Sequence, residues 1–571
     1  MADVADYVVV GGGSAGAVVA ARLSESGDHS VVVLESGGSD VSPFILLPAG
    51  SLRLPPKHFW MYETEPDMTR NGRTDSWSSG RVLGGSSSVN AMLWVRGNPA
   101  DYDAWANAGA DGWDYESLLP FFRRSERWTG EPSGMRGATG PQYVSRLRVE
   151  HPTTQPFLNG AAEVGLPVLT DYNGATQIGA SLTQVSQRNG LRAGTGRTYL
   201  APARRRKNLS VRTHATADRV LFENRRAVGV EYVQRGKRHR VTARREVIIC
   251  AGAVASPALL QRSGVGPIDL LRELGAPIVA DVPAVGQGLQ EHPTFTLMFD
   301  VNGRTLNQEL TLLNVLRAGR DLIMHRRGLA TAAMTHAVAF GKIHQDAPWA
   351  EFELMYSPMS AVSGRPEALP GEEANLDAAP PKKNKQRVGL PDRPMVSCHI
   401  SLLHPRTTGQ VRASSLNPFD LPKIDLAYYG DERDIADATA AGRLTRSIFE
   451  SKALKPYVIR EVGPSAGVES DEQWRDFLTQ NTFNAGHWVG TVRMGTADDD
   501  HAALDSDLRV KGVEALRVID ASVMPNLTSG NTNAPTIALA EAGVHRLLTG
   551  GWRVSDRTGK PKSQPQGSDV G

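Results

Sequence analysis

A short apolar run, Tyr7 to Val10, leads into Gly11-Gly12-Gly13-Ser14-Ala15-Gly16, then a small-residue stretch from Ala15 to Ser24, then a second apolar run, Val31 to Leu34, closed by Glu35. No other feature constrains the fold as strongly, because this order reads as strand, glycine turn, helix, strand. The glycines match G-x-G-x-x-G where that spacing has a mechanism. Gly11 permits the tight turn, Gly13 lets a pyrophosphate approach the helix N-terminus beside Ser14 and Ala15, and Gly16 lets helix and strand pack closely. Glu35 can accept hydrogen bonds from ribose hydroxyls, and its carboxylate disfavours a 2′-phosphate. The segment therefore predicts a Rossmann-like dinucleotide lobe that suits FAD or NAD and not NADP.

At 571 residues the chain exceeds what one hydrophobic core serves, so two or more lobes are expected. Strand-like stretches at Leu209 to Thr213, Val220 to Glu223, Val228 to Val233 and Val247 to Cys250 read as returning to the first sheet, which makes that lobe discontinuous. From 300 to about 460 the character changes: a helix is expected near 310 to 328 and strands at Glu351 to Tyr356 and Val396 to Leu403. The segment 364–394, rich in Pro, Glu and Lys, reads as a mobile surface loop, and the tail 551–571 as disordered. The fold class is α/β with an α+β second lobe. The dinucleotide lobe is expected over 1–155, 208–299 and 486–550, and the substrate lobe over 156–207 and 300–485.

Lys and Arg total 63 against 61 for Asp and Glu, a formal charge of +2, which supplies no field that points to nucleic acid. Cys250 and Cys398 are far apart and outside any C-x-x-C spacing, so neither a disulfide framework nor a metal site is indicated. The N-terminus is acidic where a secretory leader needs positive charge. The uncharged run Tyr7 to Ala21 falls short of the ~18 residues of a membrane span. A cytoplasmic protein without a membrane span is expected.

Two longer stretches decide the cofactor. The first is Gly80-Arg81-Val82-Leu83-Gly84-Gly85-Ser86-Ser87-Ser88-Val89-Asn90, continuing to Trp94 and Gly97; the second is Gly252-Ala253-Val254-Ala255-Ser256-Pro257, continuing to Gly266. Together they resemble the paired signatures of the glucose-methanol-choline (GMC) oxidoreductases, and the resemblance extends to about residue 550. It implies FAD, a lobe that binds it, and a second lobe whose sheet roofs the flavin. Gly84, Gly85 and Ser87 would let a backbone loop lie against the cofactor, with Arg81 beside it and Asn90 near the flavin's reactive edge. Val220 is expected to contact the cofactor as well. Some members of the family tether FAD through a histidine where Val89 stands here, so non-covalent FAD is implied. The family's usual Val-Gly-x-Asn-Leu-x-Asp-His appears as Val285-Gly286-Gln287-Gly288-Leu289-Gln290-Glu291-His292, and Gly288 is not expected to touch the cofactor.

Taking hydride from an alcohol carbon requires that the hydroxyl proton leave, and an imidazole suits the task. Gly486-His487-Trp488-Val489-Gly490-Thr491, followed by Arg493-Met494-Gly495, resembles the family's H-x-x-G-T block and makes His487 the base. In Ser529-Gly530-Asn531-Thr532-Asn533-Ala534-Pro535-Thr536 the partner position holds Asn531, whose amide can donate to a developing alkoxide. This is the His/Asn arrangement of choline and hydroxymethylfurfural oxidases. Asn533 and Pro535 are implied near the flavin, and Asp520 and Ala521 near the ribityl chain. His292, His336, His399 and His404 read as structural or cavity-lining.

The function implied is FAD-dependent oxidation of a small-molecule alcohol to an aldehyde or ketone. A lyase or a fatty-acid photodecarboxylase on the same scaffold is the alternative. Phe352, Met355, Tyr356 and Trp488 are candidates for the substrate pocket, and a mainly apolar cavity would favour a bulky or aromatic alcohol over choline. The acceptor is oxygen or another molecule, and the protein a monomer or homodimer; neither choice follows from a motif.

Overall fold

The computed structural model describes residues 3–309, 312–360 and 393–550. The tail from 551, and the loop expected over 364–394 apart from Arg393 and Pro394, lie outside them. The apolar run of the fingerprint forms the strand Val4–Val10, with Val8 and Val9 fully buried. It pairs in parallel with Val31–Leu34 on one side and with Lys237–Ile249 on the other. Valines buried on both faces are what a central parallel strand requires. The helix Ser14–Leu23 follows directly, and its small buried side chains let it pack against the C-terminal helix Asn533–Thr549.

The first sheet runs in the order Leu209–Arg212, Val31–Leu34, Val4–Val10, Lys237–Ile249, Arg226–Gln234, Ala215–Glu223, with Leu516–Val518 pairing in parallel beside Lys237–Ile249. The chain thus returns to this sheet after long excursions, so the lobe is discontinuous. The strand expected at Val220 to Glu223 begins earlier, at Ala215. Its first half, Ala215-Thr216-Ala217-Asp218, holds no large apolar residue, and pairing with Arg226–Gln234 extends it.

The second sheet is antiparallel: Val458–Val462, Pro293–Val301, Met395–Leu402, Phe352–Ser357, Ala337–Gly341 and Gly179–Leu182, with Phe483–Asn484 paired to the start of Pro293–Val301. The lobe boundary expected at 300 therefore falls inside a strand. Because side chains alternate along a strand, the two faces separate cleanly. One carries Phe295, Leu297, Leu354, Tyr356, Cys398 and Ile400 into a core shared with Ile448 and Phe449 of the helix Glu432–Glu450. The other carries two cross-strand rows, Thr294, Ser401 and Glu353, then Thr296, His399 and Met355. This face roofs the first lobe.

Glu353 is the discordant member of that face. Both of its oxygens are buried without a hydrogen-bond partner, and burial pushes its pKa up from 4.5 to about 8. Between those two values the folded state holds a proton that the unfolded chain releases. Stability is therefore lost as pH rises through that window, at ~1.4 kcal/mol per unit. Glu353→Gln is expected to raise the thermal unfolding midpoint at pH 8 and to leave it nearly unchanged at pH 4.5. An equal shift at both values would show that the carboxyl carries no such penalty.

Candidate active site

Between the two sheets lies a cavity of about 490 Å³. It runs from Gly13, Ser14 and Ala15 at the fingerprint helix, past Gly85 and Asn90, to Met355 and His399 of the roof and to His487 and Asn531. A smaller neighbouring space of about 120 Å³ shares Gly13, Tyr62 and Cys250 with it and is lined by Gly11 and Glu35. Glycines and short side chains make up much of the lining, which lets backbone approach a dinucleotide.

Two loops from distant parts of the chain bring the polar side chains together. His487 follows the short strand Phe483–Asn484 and sits between Gly486 and Gly490, both with positive φ. Asn531 stands just before the helix Asn533–Thr549. Nδ2 of Asn531 lies 2.9 Å from Nε2 of His487. An amide N–H can only donate, so Nε2 accepts and carries no proton. Burial lowers the His487 pKa to about 4, which leaves the imidazole neutral near pH 7.

Each loop is held by a buried acid. The Glu291 carboxyl accepts the backbone N–H groups of His487 at 2.9 Å, Gly486 at 3.1 Å and His292 at 2.7 Å. The Asp101 carboxyl accepts Ser529 N–H at 2.6 Å, Asn98 N–H at 2.8 Å and the Ser529 hydroxyl at 2.7 Å. Burial raises their pKa values, to about 8 for Glu291 and about 7 for Asp101, against the opposing pull of these donors. Neither acid was singled out from sequence. Glu291 belongs to the segment Val285–His292, which lies behind the histidine loop: Gln290 and Val489 exchange backbone hydrogen bonds, and the Gly288 carbonyl packs against Gly490.

The residues that could hold a dinucleotide fit one. A Cβ at Gly16 would stand 1.9 Å from the Gly11 carbonyl oxygen, and one at Gly85 would stand 2.7 Å from Cα of Gly13, so both close approaches demand glycine. Glu35 accepts the N–H groups of Gly12 at 2.8 Å and Gly37 at 2.7 Å and keeps a lone pair on each oxygen for a ribose. Burial pushes its pKa up to about 7, and the Arg81 charge opposes this. Asp520 ties two segments, its oxygens accepting Ser522 N–H and Gly252 N–H, each at 2.8 Å, and with Ala521 and Asn533 it lines the cavity.

Other expected residues stand one layer back. Arg81 lies over the Trp60 ring at 4.4 Å. Gly84 donates its N–H to the Gly12 carbonyl, and Ser87 bonds Gly84 and Thr195; Pro535 is buried in the first turn of its helix. Val220 is packed into the core with its N–H given to Ser263 Oγ, and Thr216 and Ala217 of the same strand line the smaller space instead.

Two of the four substrate-pocket candidates are corrected. Phe352 and Tyr356 share strand parity with Leu354 and point into the core away from the cavity, where Tyr356 stacks on Phe157. Met355, of opposite parity, lines the cavity, and so does Trp488, stacked on Trp77 at 4.8 Å. His399 also lines it, while His336 and His404 hydrogen-bond His151 N–H and Ser529 Oγ. His292 touches His487 directly, Nδ1 to Nδ1 at 2.9 Å.

Comparison with known proteins agrees with this architecture. Residues 5–294 and 405–540 match the N-terminal and C-terminal models of the GMC oxidoreductases. The chain is 35% identical to an oxygen-dependent choline dehydrogenase of Vibrio vulnificus, over 97% of this chain and 99% of that one. It is also 35% identical to the mitochondrial choline dehydrogenase of Mus musculus, over 99% and 92%. Among solved structures, pyridoxine 4-oxidase from Mesorbium loti superposes with a TM-score of 0.82 at 30% identity, over 95% of this chain and 99% of that one. Among the described residues no helix is long and apolar enough to cross a membrane. With its glycine fingerprint, its two-sheet cavity and both family models matched, the chain belongs to the GMC oxidoreductases, FAD-dependent enzymes that oxidise CH–OH donors.

Proposed function

We propose that His487 is the base that removes the alcohol's hydroxyl proton and that Asn531 steadies the oxygen it leaves. The observation that carries this reading is the 2.9 Å contact between His487 Nε2 and Asn531 Nδ2 at the wall of the cavity. An alcohol oxygen that displaces this contact and lies about 3 Å from both atoms would give its proton to the Nε2 lone pair so freed and accept an N–H of Asn531. Bound flavin supplies the hydride acceptor. The neutral imidazole gains a proton as the oxygen gains negative charge, so the two side chains act on one group without competing for its proton. The amide supplies a fixed dipole for this step.

The substrate we infer is a neutral alcohol with an apolar or aromatic body. The cavity wall near His487 includes Met355, Phe483, Trp488 and Tyr62, and among the described residues the one carboxylate that lines the cavity is Asp520. That carboxylate is committed to Ser522, Gly252 and Ser256. A quaternary ammonium would have only ring faces to offset its lost hydration, worth ~0.5–2 kcal/mol each. FAD is inferred to be held without a covalent bond, since Val89 has no nucleophilic atom, and the electron acceptor is oxygen or another molecule.

His487→Ala is expected to retain FAD and to slow anaerobic flavin bleaching by an alcohol ~10² to 10⁴-fold; bleaching at nearly the native rate would remove His487 from the mechanism. With the native enzyme, kcat/KM should fall as pH drops toward the His487 value of about 4, because protonation removes the lone pair. In a panel that includes choline and benzyl alcohol, the neutral aromatic alcohol should have the larger kcat/KM, and the opposite order would restore a cationic substrate. Acid precipitation should release the yellow cofactor into the supernatant; flavin that stays with the pellet would contradict non-covalent binding.

A further inference from the structure

Behind His487, on the side away from Asn531, stands a second imidazole, that of His292. The two Nδ1 atoms are 2.9 Å apart and the rings meet edge to face at 80°. Such a contact between neutral rings has one proton in it, so one ring is an Nδ1–H donor and the other an Nδ1 acceptor. If His292 donates, His487 keeps its proton on Nε2 and presents an N–H to the substrate. If His487 donates, Nε2 is bare.

The surroundings of His292 decide between these. Its Nε2 is buried with no hydrogen-bond partner, and the backbone groups of Leu403 and Thr528 act on the ring as acceptors that favour an N–H. Carbonyls only accept, so the proton of a neutral His292 belongs on Nε2. Its Nδ1 is then a lone pair, which calls for Nδ1–H on His487. On the opposite side Asn531 Nδ2, a donor, faces His487 Nε2. Two independent neighbours thus select the same form.

We propose that His292 is a positioning residue that holds His487 in the tautomer with Nδ1 protonated and Nε2 free to take the substrate's proton. The proposal rests on the reading of His487 as the base. The segment that supplies His292 also supplies Glu291, which grips the His487 backbone, so one short stretch sets both the place of the imidazole and its proton. The remaining titratable neighbour is His404, whose burial keeps it neutral with a pKa of about 3, and beyond it Asp101. Burial and the adjacent His487 and His404 hold His292 itself well below the ordinary histidine range.

The test uses FAD-loaded enzyme labelled with ¹⁵N-histidine, with the His487 signals identified by their absence in His487→Gln. In the native protein His487 should show a protonated Nδ1 and a bare Nε2. His292→Ala should mix the two tautomers and slow flavin reduction at saturating alcohol by on the order of 10²-fold or more, with little change in the substrate concentration needed for half-saturation. His292→Asn, whose Oδ1 can accept the same bond, should restore the native tautomer and a rate within ~10-fold of native. A native His487 protonated on Nε2, or an unaltered tautomer in His292→Ala, would overturn the proposal. If His292→Ala fails to hold FAD, His292→Asn decides alone: the native tautomer and near-native rate support the proposal, and loss of either overturns it. The nitrogen spectrum does not depend on His487 being the base, so failure of that reading would appear only in the bleaching of His487→Ala.

Discussion

Two buried carboxyl groups hold this site together. Glu291 gathers the N–H groups of Gly486, His487 and His292, and Asp101 gathers those of Asn98 and Ser529 together with the Ser529 hydroxyl. A loop brought into a protein interior leaves backbone donors that cost ~1–3 kcal/mol each if unmet, and an acid brought in alone costs more still. Here the two problems answer each other. Glycines at 486, 490 and 530 adopt backbone angles that larger residues resist, so the loops can close tightly enough for an imidazole and an amide to meet.

The cavity those loops border is the product of two sheets with different logic. The first is a largely parallel sheet whose central valines are buried on both faces, and it presents the helix N-terminus at Ser14 to a dinucleotide. The second is antiparallel and two-sided, packing aromatic residues on its own helices and turning Thr294, Thr296, His399 and Met355 toward the first. Parity along the strand Phe352–Ser357 therefore decides which residue meets substrate: a shift of one position would exchange Met355 for Tyr356.

Much of this was legible in the chain itself. Gly11 to Gly16 and Gly84 with Gly85 carry local mechanisms, because a tight turn or a close backbone approach writes itself into residue type, whereas His487 and Asn531 stood out only through the family resemblance. The roof was not legible to the same depth. Phe352-Glu353-Leu354-Met355-Tyr356 is apolar on both sides of one acid, so no alternation marks which side faces the cavity, and the acid itself proves buried. Strand boundaries slipped where small residues such as Ala215 and Ala217 are recruited by pairing. The partnership of His292 with His487 spans 195 positions, a separation that no local pattern can report; the one trace was an acid next to a histidine at the end of a segment of glycine, glutamine and apolar residues.

The chemistry depends on one oxygen atom being reached by two side chains. A crystal structure of the FAD-loaded enzyme with an unreactive alcohol analogue should place the analogue's oxygen within hydrogen-bond distance of both His487 Nε2 and Asn531 Nδ2. An analogue bound beside the flavin with its oxygen held by other groups, and with the imidazole and amide still bonded only to each other, would contradict it.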